Sequence, residues 1–316
     1  MSFVARLPAL PEGFVLERGE RGALACRPED LDALRAAGFR PDDLHRTARG
    51  AALEDADVSG REPLGRLVVD GVECLARRFT HGGLARGITG RRFLDPARPF
   101  VELVVSERLR ALGIGTPRVV AARAVPTPPV GFELTLVTER IPDTVDVGQL
   151  LGGVRSGAAQ RARLRPALAV AGRLIGRLHD AGLYHADLQP ANVLVPTGGD
   201  APDRAWILDL DRSRFPSEGG LDESLRMRNL GRLWRHVRRR EREYGSVLIS
   251  ADMARFLRAY GLAHEDLRAG CAAIEREADA GSGLHRLGWW IDRAAGRADD
   301  PRASGQSARP ADSRRG

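Results

Sequence analysis

A polar stretch in the second half of the chain stands between one helical pattern and two strand-like runs, and this order constrains the fold more than any other feature. Apolar residues recur at helical spacing over residues 164–178, and Gly182 is placed to end that helix. The polar stretch follows at residues 185–192, and apolar runs come next at 192–195 and 206–210. This order predicts a site at which side chains of the loop and of the second run's end converge.

Three oxygen-bearing side chains mark this region: Asp187 and Asn192 in the loop, and Asp209 at the end of the second run. Phosphoryl transfer needs a group that orients the acceptor hydroxyl, a metal ion that neutralises the phosphates, and cations that position them. Asp187 is therefore the candidate base. Asn192 and Asp209 are candidate Mg²⁺ ligands, because Mg²⁺ prefers hard oxygen donors. His185 completes the candidate catalytic set and is predicted to pack beneath the loop and fix its backbone.

The first half of the chain is predicted to supply a cation that grips phosphate. The pair Asp70-Gly71 between the β-rich runs 66–69 and 72–79 predicts a hairpin. Arg77 and Arg78 lie near the end of the second run, and the two-residue period of a strand puts them on opposite faces. One of the two arginines can therefore face the predicted site while the other faces solvent.

A helix is predicted around residues 99–112, and it carries Glu102 among apolar neighbours. That setting argues against a freely solvated carboxylate, so Glu102 is the candidate acidic partner of the strand arginine. Gly60 belongs to a glycine-containing stretch at 59–65 that precedes the hairpin. The stretch matches no strong phosphate-loop pattern, but Gly60 is a candidate for covering a nucleotide.

Composition narrows the classes of partner. The chain of 316 residues has room for two lobes with a cleft between them, and 43% hydrophobic and 29% charged residues are typical of a soluble globular protein. No apolar run reaches the length of a membrane span, and the N-terminus lacks a signal-peptide pattern, so a cytoplasmic location is predicted. The three cysteines fit buried free thiols rather than a disulfide framework. The chain has no lysine, so its positive side chains are arginines. Its net charge of +7 favours an anionic partner.

A basic helix is predicted at residues 226–240. Leu230, Leu233, Trp234 and Val237 form its apolar stripe, and arginines cover much of the rest. A solvated face is the usual interpretation of such a charge run, and nucleic acid is not expected as a partner. The sharper hypothesis is that the helix docks to an anionic membrane surface or to the phosphates of a lipid, which predicts a peripheral location at a membrane.

Several colinear segments resemble a known family. They resemble the lipopolysaccharide-core sugar kinases, and within them the group that phosphorylates 3-deoxy-D-manno-octulosonic acid (Kdo). The resemblance covers about residues 59–260, so it is more specific than any single motif. The matching segments are 75–84, 113–123, 136–142, 178–188 and 207–212.

The resemblance implies an α+β, two-lobed, protein-kinase-like fold with a small, mainly antiparallel β N-lobe and a larger helical C-lobe. It implies transfer of the ATP γ-phosphoryl group to a Kdo hydroxyl on a lipid A precursor, at the inner face of the cytoplasmic membrane. The predicted division of the chain is an N-terminal extension of unclear role at 1–58, the N-lobe at 59–140, the C-lobe at 141–296 and a disordered tail at 297–316.

Carried over position by position, the resemblance makes Asp187 the catalytic base and Asn192 and Asp209 the metal ligands. It places Arg77 where the phosphate-contacting basic residue of the third strand belongs, and Glu102 where its helix partner belongs. The expected cofactors are ATP and Mg²⁺, and the expected acceptor is a lipopolysaccharide precursor or another hydroxylated small molecule.

The segment 136–142 also brings Glu139 into the predicted nucleotide-binding set. The chain departs from the family at Gln189-Pro190-Ala191, where Asn-Ala-His is usual, and this loop is closer to that of ordinary protein kinases. A protein Ser/Thr kinase is nevertheless disfavoured. Asp211-Arg212 stands where Phe-Gly would be, and no Ala-Pro-Glu follows.

Two alternatives stay open at this point. A small-molecule kinase of the aminoglycoside or choline type shares the Asp, Asn and Asp logic, and the block at 77–84 is what favours the lipopolysaccharide group instead. A pseudokinase that only binds a partner or an anionic surface is the second alternative. Such a protein is expected to lose Asp187 or Asp209, and this chain keeps both.

Overall fold

The structure is a computed structural model that describes residues 7–42, 54–55, 64–80, 92–198, 204–216 and 219–280. The predicted Gly60, the block at 81–84 and the tail at 297–316 lie outside these residues. The strands are β1 (Val15–Arg18), β2 (Ala23–Cys26), β3 (Glu54–Asp55), β4 (Gly65–Val69), β5 (Val72–Arg78), β6 (Val119–Pro126), β7 (Phe132–Glu139), β8 (Thr144–Asp146), β9 (Val193–Pro196) and β10 (Trp206–Ile207). The helices are α1 (Leu31–Ala36), α2 (Arg98–Ala111), α3 (Val147–Ser156), α4 (Leu164–Asp180), α5 (Glu223–Tyr244), α6 (Ser250–Tyr260) and α7 (Leu267–Ala280).

The small lobe is built on one antiparallel sheet of seven strands in the order β1-β2-β6-β7-β5-β4-β3. The predicted hairpin is its β4–β5 pair. Asp70 and Gly71 have φ of 48° and 76°, as a tight hairpin turn with two left-handed residues requires. Helix α2 packs across β6 and β7 and closes one face of the sheet. The predicted helix at 99–112 therefore lies where it can reach the end of β5.

The first strands of the chain belong to this same sheet. Strand β2 pairs with β6, and β1 extends the sheet beyond β2. Arg27 follows β2 and donates to Glu107 of α2 at 2.9 Å, so this segment also contacts the helix that borders the cleft. Part of the predicted extension at 1–58 is thus structurally inseparable from the N-lobe.

The large lobe is mostly helical and holds a second antiparallel sheet in the order β10-β9-β8. The chain enters it through residues 140–143. Helix α4 runs through the core of this lobe, and its buried face includes Leu164, Leu168, Ile175 and Leu178. The α+β class and the two-lobed arrangement predicted from the sequence are confirmed.

Two glycines on α4 bring it unusually close to α6. A Cβ at Gly172 would lie 2.4 Å from the Phe256 carbonyl oxygen, and one at Gly176 would lie 2.4 Å from the Tyr260 carbonyl oxygen. The absence of side chains at these positions lets the helix backbones touch. This contact holds Tyr260 against the C-terminal turn of α4, which leads directly into the Asp187 loop. None of the helices in the described part of the chain combines the length and apolar character that a bilayer span requires.

Candidate active site

His185 fixes the backbone of the loop that carries Asp187. Its side chain is buried, its Nδ1 accepts from the Asp187 backbone N–H at 3.1 Å, and its Nε2 lies 2.9 Å from the Leu208 carbonyl oxygen. Because an amide N–H only donates and a carbonyl only accepts, these partners require a neutral ring with its proton on Nε2. Burial lowers the pKa of His185 and so favours this neutral form. The predicted packing beneath the loop is confirmed.

Asn192 is held so that its side-chain oxygen is free to bind another group. Its Nδ2 donates to the backbone carbonyl of Asp187 at 2.8 Å. A carbonyl can only accept, so the nitrogen must face it and Oδ1 must point away. The Leu208 N–H donates to the Asn192 carbonyl at 2.9 Å, which places Asn192 beside the residue that precedes Asp209. The loop and the strand end therefore form one hydrogen-bonded unit.

Asp209 lies at the point where the chain leaves β10. Its φ of 55° is in the left-handed region, which non-glycine residues rarely adopt. Residues held in such strained conformations are often found at functional sites. Its side chain is 37% exposed, and Oδ1 accepts from Arg77 at 3.1 Å. Among the described residues, Oδ2 has no hydrogen-bond partner, so this oxygen is available to a ligand in the cleft.

Arg77 connects the two lobes across the cleft. From β5 its Nη1 reaches Asp209 of the large lobe, and its Nη2 donates to Glu102 of α2 at 2.5 Å. The predicted pairing of a strand arginine with Glu102 is confirmed, and of the two candidate arginines it is Arg77 that faces the cleft. A guanidinium has five N–H donors in a planar fork, so both carboxylates can be bound at once.

Glu102 sits in the most desolvated part of this triad, with its side chain 4% exposed. Burial raises its pKa to about 7, although Arg77 opposes the shift. The same burial lowers the pKa of Arg77, but the carboxylates of Glu102 and Asp209 outweigh it, and the net pKa is raised. The arginine therefore stays charged, while burial disfavours the charged form of the glutamate.

Helix α2 is tied to the Asp209 segment at two points on the same face. Glu102 Oε1 accepts from the Leu210 backbone N–H at 3.2 Å. One turn earlier, Arg98 binds Asp211 with both carboxylate oxygens engaged, through Nε at 3.0 Å and through a second, shorter contact from Nη2. Residues four apart share a helix face, so these two contacts fix the orientation of α2 against the cleft.

Aromatic rings contact the guanidinium groups of Arg77 and Arg98. The guanidinium carbon of Arg77 lies 4.5 Å from the centre of the Phe79 ring, and that of Arg98 lies 4.5 Å from the centre of the Phe93 ring. The rings themselves meet edge to face at 6.3 Å. Such contacts limit the motion of long cationic side chains and orient their donors.

The carboxylate of Asp187 has two polar neighbours. Gln189 Nε2 donates to Oδ2 at 2.7 Å, and Arg232 Nη1 of α5 lies 3.5 Å from Oδ1. The Asp187 side chain is 33% exposed, so it can contact a molecule in the cleft. The candidate base is thus oriented by a glutamine of its own loop and faced by an arginine from a different helix.

The loop is anchored from below by a buried neutral network around Asn229 of α5. Asn229 accepts from the His185 backbone N–H at 3.2 Å and donates to the His185 carbonyl at 2.7 Å. Its Oδ1 also lies 3.1 Å from His179 Nε2, and His179 Nδ1 lies 2.8 Å from the Tyr260 hydroxyl. Burial lowers the pKa of His179 to about 4, so the network is uncharged at neutral pH.

Glu139 is the predicted site residue that lies apart from this cluster. It ends β7, and its carboxylate accepts from Arg118 at 2.6 Å. Arg118 also binds Asp30 at 2.8 Å, which joins β7 to the turn after β2. The carboxylate of Glu139 is therefore paired within the small lobe, and its assignment to the nucleotide site stays a prediction.

The basic helix predicted at 226–240 is part of α5, and its apolar stripe packs on the large-lobe core as predicted. Several of its arginines are bound within the protein. Arg226 donates to Asp180 and to the Leu221 carbonyl, and Arg235 donates to the carbonyls of Glu277 and Ala278. Docking of this helix to an anionic membrane or lipid surface stays a prediction. The residues available for it are the exposed arginines of the helix, which are Arg228, Arg239, Arg240 and Arg242.

The donor set suits a magnesium–nucleotide complex. Mg²⁺ is usually held by one or two protein oxygens while phosphate and water complete its shell. Asn192 Oδ1 and Asp209 Oδ2 are two such oxygens without protein partners among the described residues. Arg77 supplies a fixed cation on the same side of the cleft, as the phosphates of ATP would require.

Four residues that contact the candidate site were not found from the sequence: Arg98, Asp211, Asn229 and Arg232. Asp211 was noted only as a departure from Phe-Gly, and the arginines of α5 were grouped as one basic face. The period of α5 places Asn229 on the same side as Leu230 and Leu233, and a polar residue in an apolar stripe is the signal that could have identified it.

Comparisons with known proteins identify the family to which the chain is similar. A family model described as "Lipopolysaccharide kinase (Kdo/WaaP) family" matches residues 59–260. A "3-deoxy-D-manno-octulosonic acid kinase" of Xanthomonas euvesicatoria pv. vesicatoria (strain 85-10) is 30% identical over 250 residues, covering 77% of this chain and 90% of the relative. A relative of the same description from Stenotrophomonas maltophilia (strain K279a) is 33% identical over 196 residues, which cover 59% and 70% of the two chains.

A solved structure described as "WaaP in complex with acyl carrier protein" is similar to this chain with a TM-score of 0.48 and 23% identity. The match covers 69% of this chain and 84% of that chain.

Proposed function

The chain belongs to the lipopolysaccharide kinase (Kdo/WaaP) family and is a phosphotransferase that acts on a sugar hydroxyl in lipopolysaccharide core synthesis, and from this premise we propose its acceptor and its mechanism. The acceptor is a Kdo sugar on a lipid A precursor, and the donor is the γ-phosphoryl group of ATP. Asp187 is the base, Asn192 and Asp209 hold Mg²⁺, and Arg77 positions the phosphates with Glu102 as its partner.

One observation carries the proposal: the candidate base, both candidate metal ligands and the interlobe arginine belong to one connected set of hydrogen bonds and ion pairs. Asp187 connects to Asn192 through its backbone carbonyl, and Asp209 connects to Arg77 through its carboxylate. His185 joins the two halves through the Leu208 carbonyl. Preorganised groups of this kind lower the barrier of phosphoryl transfer by positioning and by electrostatic stabilisation.

The chain's own residues divide the work of the reaction. Asp187 accepts or orients the proton of the acceptor hydroxyl, with Gln189 holding the other carboxylate oxygen in place. The guanidinium of Arg77 stabilises the phosphate charge next to Asp209. Asn192 and Asp209 would hold Mg²⁺, which would supply the neutralisation of the phosphate charge. The neutral ring of His185 keeps the loop and the strand end in register throughout.

A small-molecule kinase of the aminoglycoside or choline type remains the second candidate, because it would use the same three oxygen ligands. An acceptor screen with Mg·ATP separates the two. We expect phosphate incorporation into Kdo-bearing lipid A precursors and none into aminoglycosides or choline. Incorporation only into the latter compounds would overturn the choice of acceptor while leaving the phosphotransferase activity in place.

The assigned roles predict that two variants fail in different ways. Asp187→Ala should lower kcat by about 10²–10⁴-fold with little change in ATP binding, because a base acts mainly in the transition state. Asp209→Asn should instead weaken the binding of Mg·ATP itself. Steady-state kinetics and nucleotide titration at varied Mg²⁺ distinguish the two defects. Equal activity of Asp187→Ala and the wild type would contradict the base, and an unchanged Mg²⁺ dependence of Asp209→Asn would contradict the metal ligand.

A further inference from the structure

We infer that Arg232 is the residue that recognises the acceptor, by binding the carboxylate of the sugar acid while Asp187 holds its hydroxyl. This inference rests on the proposed function, which makes the acceptor an ulosonic acid and therefore an anion at neutral pH. It adds to that function a specific counterion for the acid group, supplied by α5 rather than by the catalytic loop.

The position of Arg232 is fixed by its anchor on the same helix. Asn229 lies one turn earlier and is completely buried, with three hydrogen bonds to His185 and His179. Residues three apart on a helix share a face, so the turn that binds the catalytic loop also aims Arg232 at Asp187. The guanidinium and the candidate base are therefore positioned by one rigid element.

The donors of Arg232 are largely uncommitted. Its one ion pair with the described residues, to Asp187 Oδ1, is 3.5 Å long, beyond the usual 2.7–3.2 Å of an N–H···O hydrogen bond. Among the described residues no hydrogen bond from its side chain is recorded, whereas Arg226 and Arg235 of the same helix each make two or more. The Arg232 side chain is 29% exposed, so its remaining N–H groups can reach a molecule that contacts Asp187.

The electrostatics of an acidic acceptor require a cation at this place. The catalytic loop contributes none, because residues 188–191 are Leu, Gln, Pro and Ala. An acceptor carboxylate brought close to the Asp187 carboxylate would meet a like charge in a partly desolvated cleft. Arg232 lies beside that carboxylate and offsets the repulsion. Its planar fork can also bind a carboxylate through two parallel hydrogen bonds, which an ammonium group cannot reproduce.

The test combines variants of the arginine with variants of the acceptor. Arg232→Gln and Arg232→Lys are compared with Arg173→Gln, which removes an exposed arginine of α4. Each protein is assayed with a Kdo-bearing lipid A precursor and with the same compound whose carboxyl group is converted into a neutral carboxamide. The measured quantities are kcat and KM for the acceptor and KM for Mg·ATP.

We expect Arg232→Gln to lower kcat/KM for the acid acceptor by about 10- to 100-fold, as for the loss of charge-assisted hydrogen bonds. The loss should fall mainly on the acceptor KM, and KM for Mg·ATP should not change. With the carboxamide, the wild type should already be impaired, and Arg232→Gln should cost less than about twofold more. Arg232→Lys should lie between Gln and the wild type for the acid, and Arg173→Gln should match the wild type for both acceptors.

Three outcomes would overturn the inference. Equal losses of Arg232→Gln on the acid and the carboxamide would mean that the arginine serves the loop and not the acceptor. A raised KM for Mg·ATP would assign the guanidinium to the nucleotide phosphates. Equal use of both acceptors by the wild type would exclude recognition of the acid group while leaving the proposed kinase intact. Failure of the wild type with both acceptors would overturn the proposed function itself.

Discussion

The two walls of the cleft are built from different kinds of polar contact. On the small-lobe side, charged groups meet: Arg77 binds Glu102 and Asp209, and Arg98 binds Asp211. On the large-lobe side, Asn229 and its partners form neutral hydrogen bonds in a fully buried setting. Both walls hold residues of the candidate site, but their contacts respond to pH and solvent in different ways.

The difference divides these contacts into two groups. The first, here called the scaffold, is the neutral network of Asn229 with His185, His179 and Tyr260. The second, here called the clamp, consists of the ion pairs of Arg77 with Glu102 and Asp209 and of Arg98 with Asp211. A neutral buried network has no favourable alternative once its partners are in place, because each freed donor or acceptor would be left unsatisfied. The Arg77–Asp209 pair, whose side chains are 31% and 37% exposed, can exchange its protein partner for water or for a ligand at little cost. The Asp187 loop is therefore on the rigid side, whereas the residues that would contact nucleotide phosphates are on the side that can rearrange.

The largest effect is expected from breaking the scaffold at Asn229. Asn229→Ala leaves the His185 N–H and carbonyl and the His179 ring without their partner and also opens a cavity. We expect a loss of about 3–5 kcal/mol in the free energy of unfolding, measured by denaturant titration. The matched control is Arg228→Ala, an exposed neighbour, which should change stability by less than about 0.5 kcal/mol. A loss below about 1 kcal/mol at Asn229 would mean that the network does not hold the loop.

The two walls should also respond to acid in opposite directions. The pKa of His179 is lowered from 6.5 to about 4, so its contribution to stability is full above pH 6.5 and is lost as the pH falls through 4. The pKa of Glu102 is raised from 4.5 to about 7, so its contribution is full below pH 4.5 and is lost as the pH rises through 7. Each changes the free energy of unfolding by about 1.4 kcal/mol per pH unit within its window.

Glu102→Gln separates these two responses, because glutamine does not titrate. Relative to the wild type, the variant should become more stable as the pH rises from 4.5 through 7, because the wild type then loses the contribution of the protonated Glu102. It should also lose stability more steeply than the wild type as the pH falls from 7 to 5, since the opposing contribution of Glu102 is gone. Denaturant titrations at four pH values measure both trends. Parallel curves for the two proteins would contradict the raised pKa of Glu102.

The elements that have a local sequence signal were predicted better than the fully buried strands. The Asp70-Gly71 hairpin and the helix at 98–111 follow from local turn chemistry and periodicity, and both were predicted. Strands β2 and β6 were not predicted. The residues of β2 are all buried, and seven of the eight in β6 are, so neither strand shows the alternation that identifies a half-exposed strand.

The candidate site was predicted where its residues lie within one local motif. Asp187 and Asn192 are five residues apart, and Asp209 follows at the next strand end, so their convergence can be inferred from order alone. Arg98 and Asp211 are 113 residues apart, and Asp187 and Arg232 are 45 apart. Contacts of this range depend on how the lobes and helices pack, and one sequence contains no local pattern that specifies them.

The smallest effect on stability is expected at the second contact of the clamp. In Asp211→Asn, the amide oxygen can still accept from Arg98, and the Phe93 ring still contacts its guanidinium. We expect a loss of about 1 kcal/mol in the free energy of unfolding. Activity should fall by about tenfold through KM for Mg·ATP, because the segment that carries Asp209 is less firmly held against α2.

A double-mutant cycle with Arg98→Gln decides whether this contact acts as a clamp. If Arg98 and Asp211 act only through each other, the double variant should lose no more activity than either single variant. Arg110→Gln is the control, since it removes an arginine that pairs with Glu107 near the other end of α2. Additive losses at 98 and 211 would show that each residue acts alone, and α2 would then be positioned by Glu102 without help from its first turn.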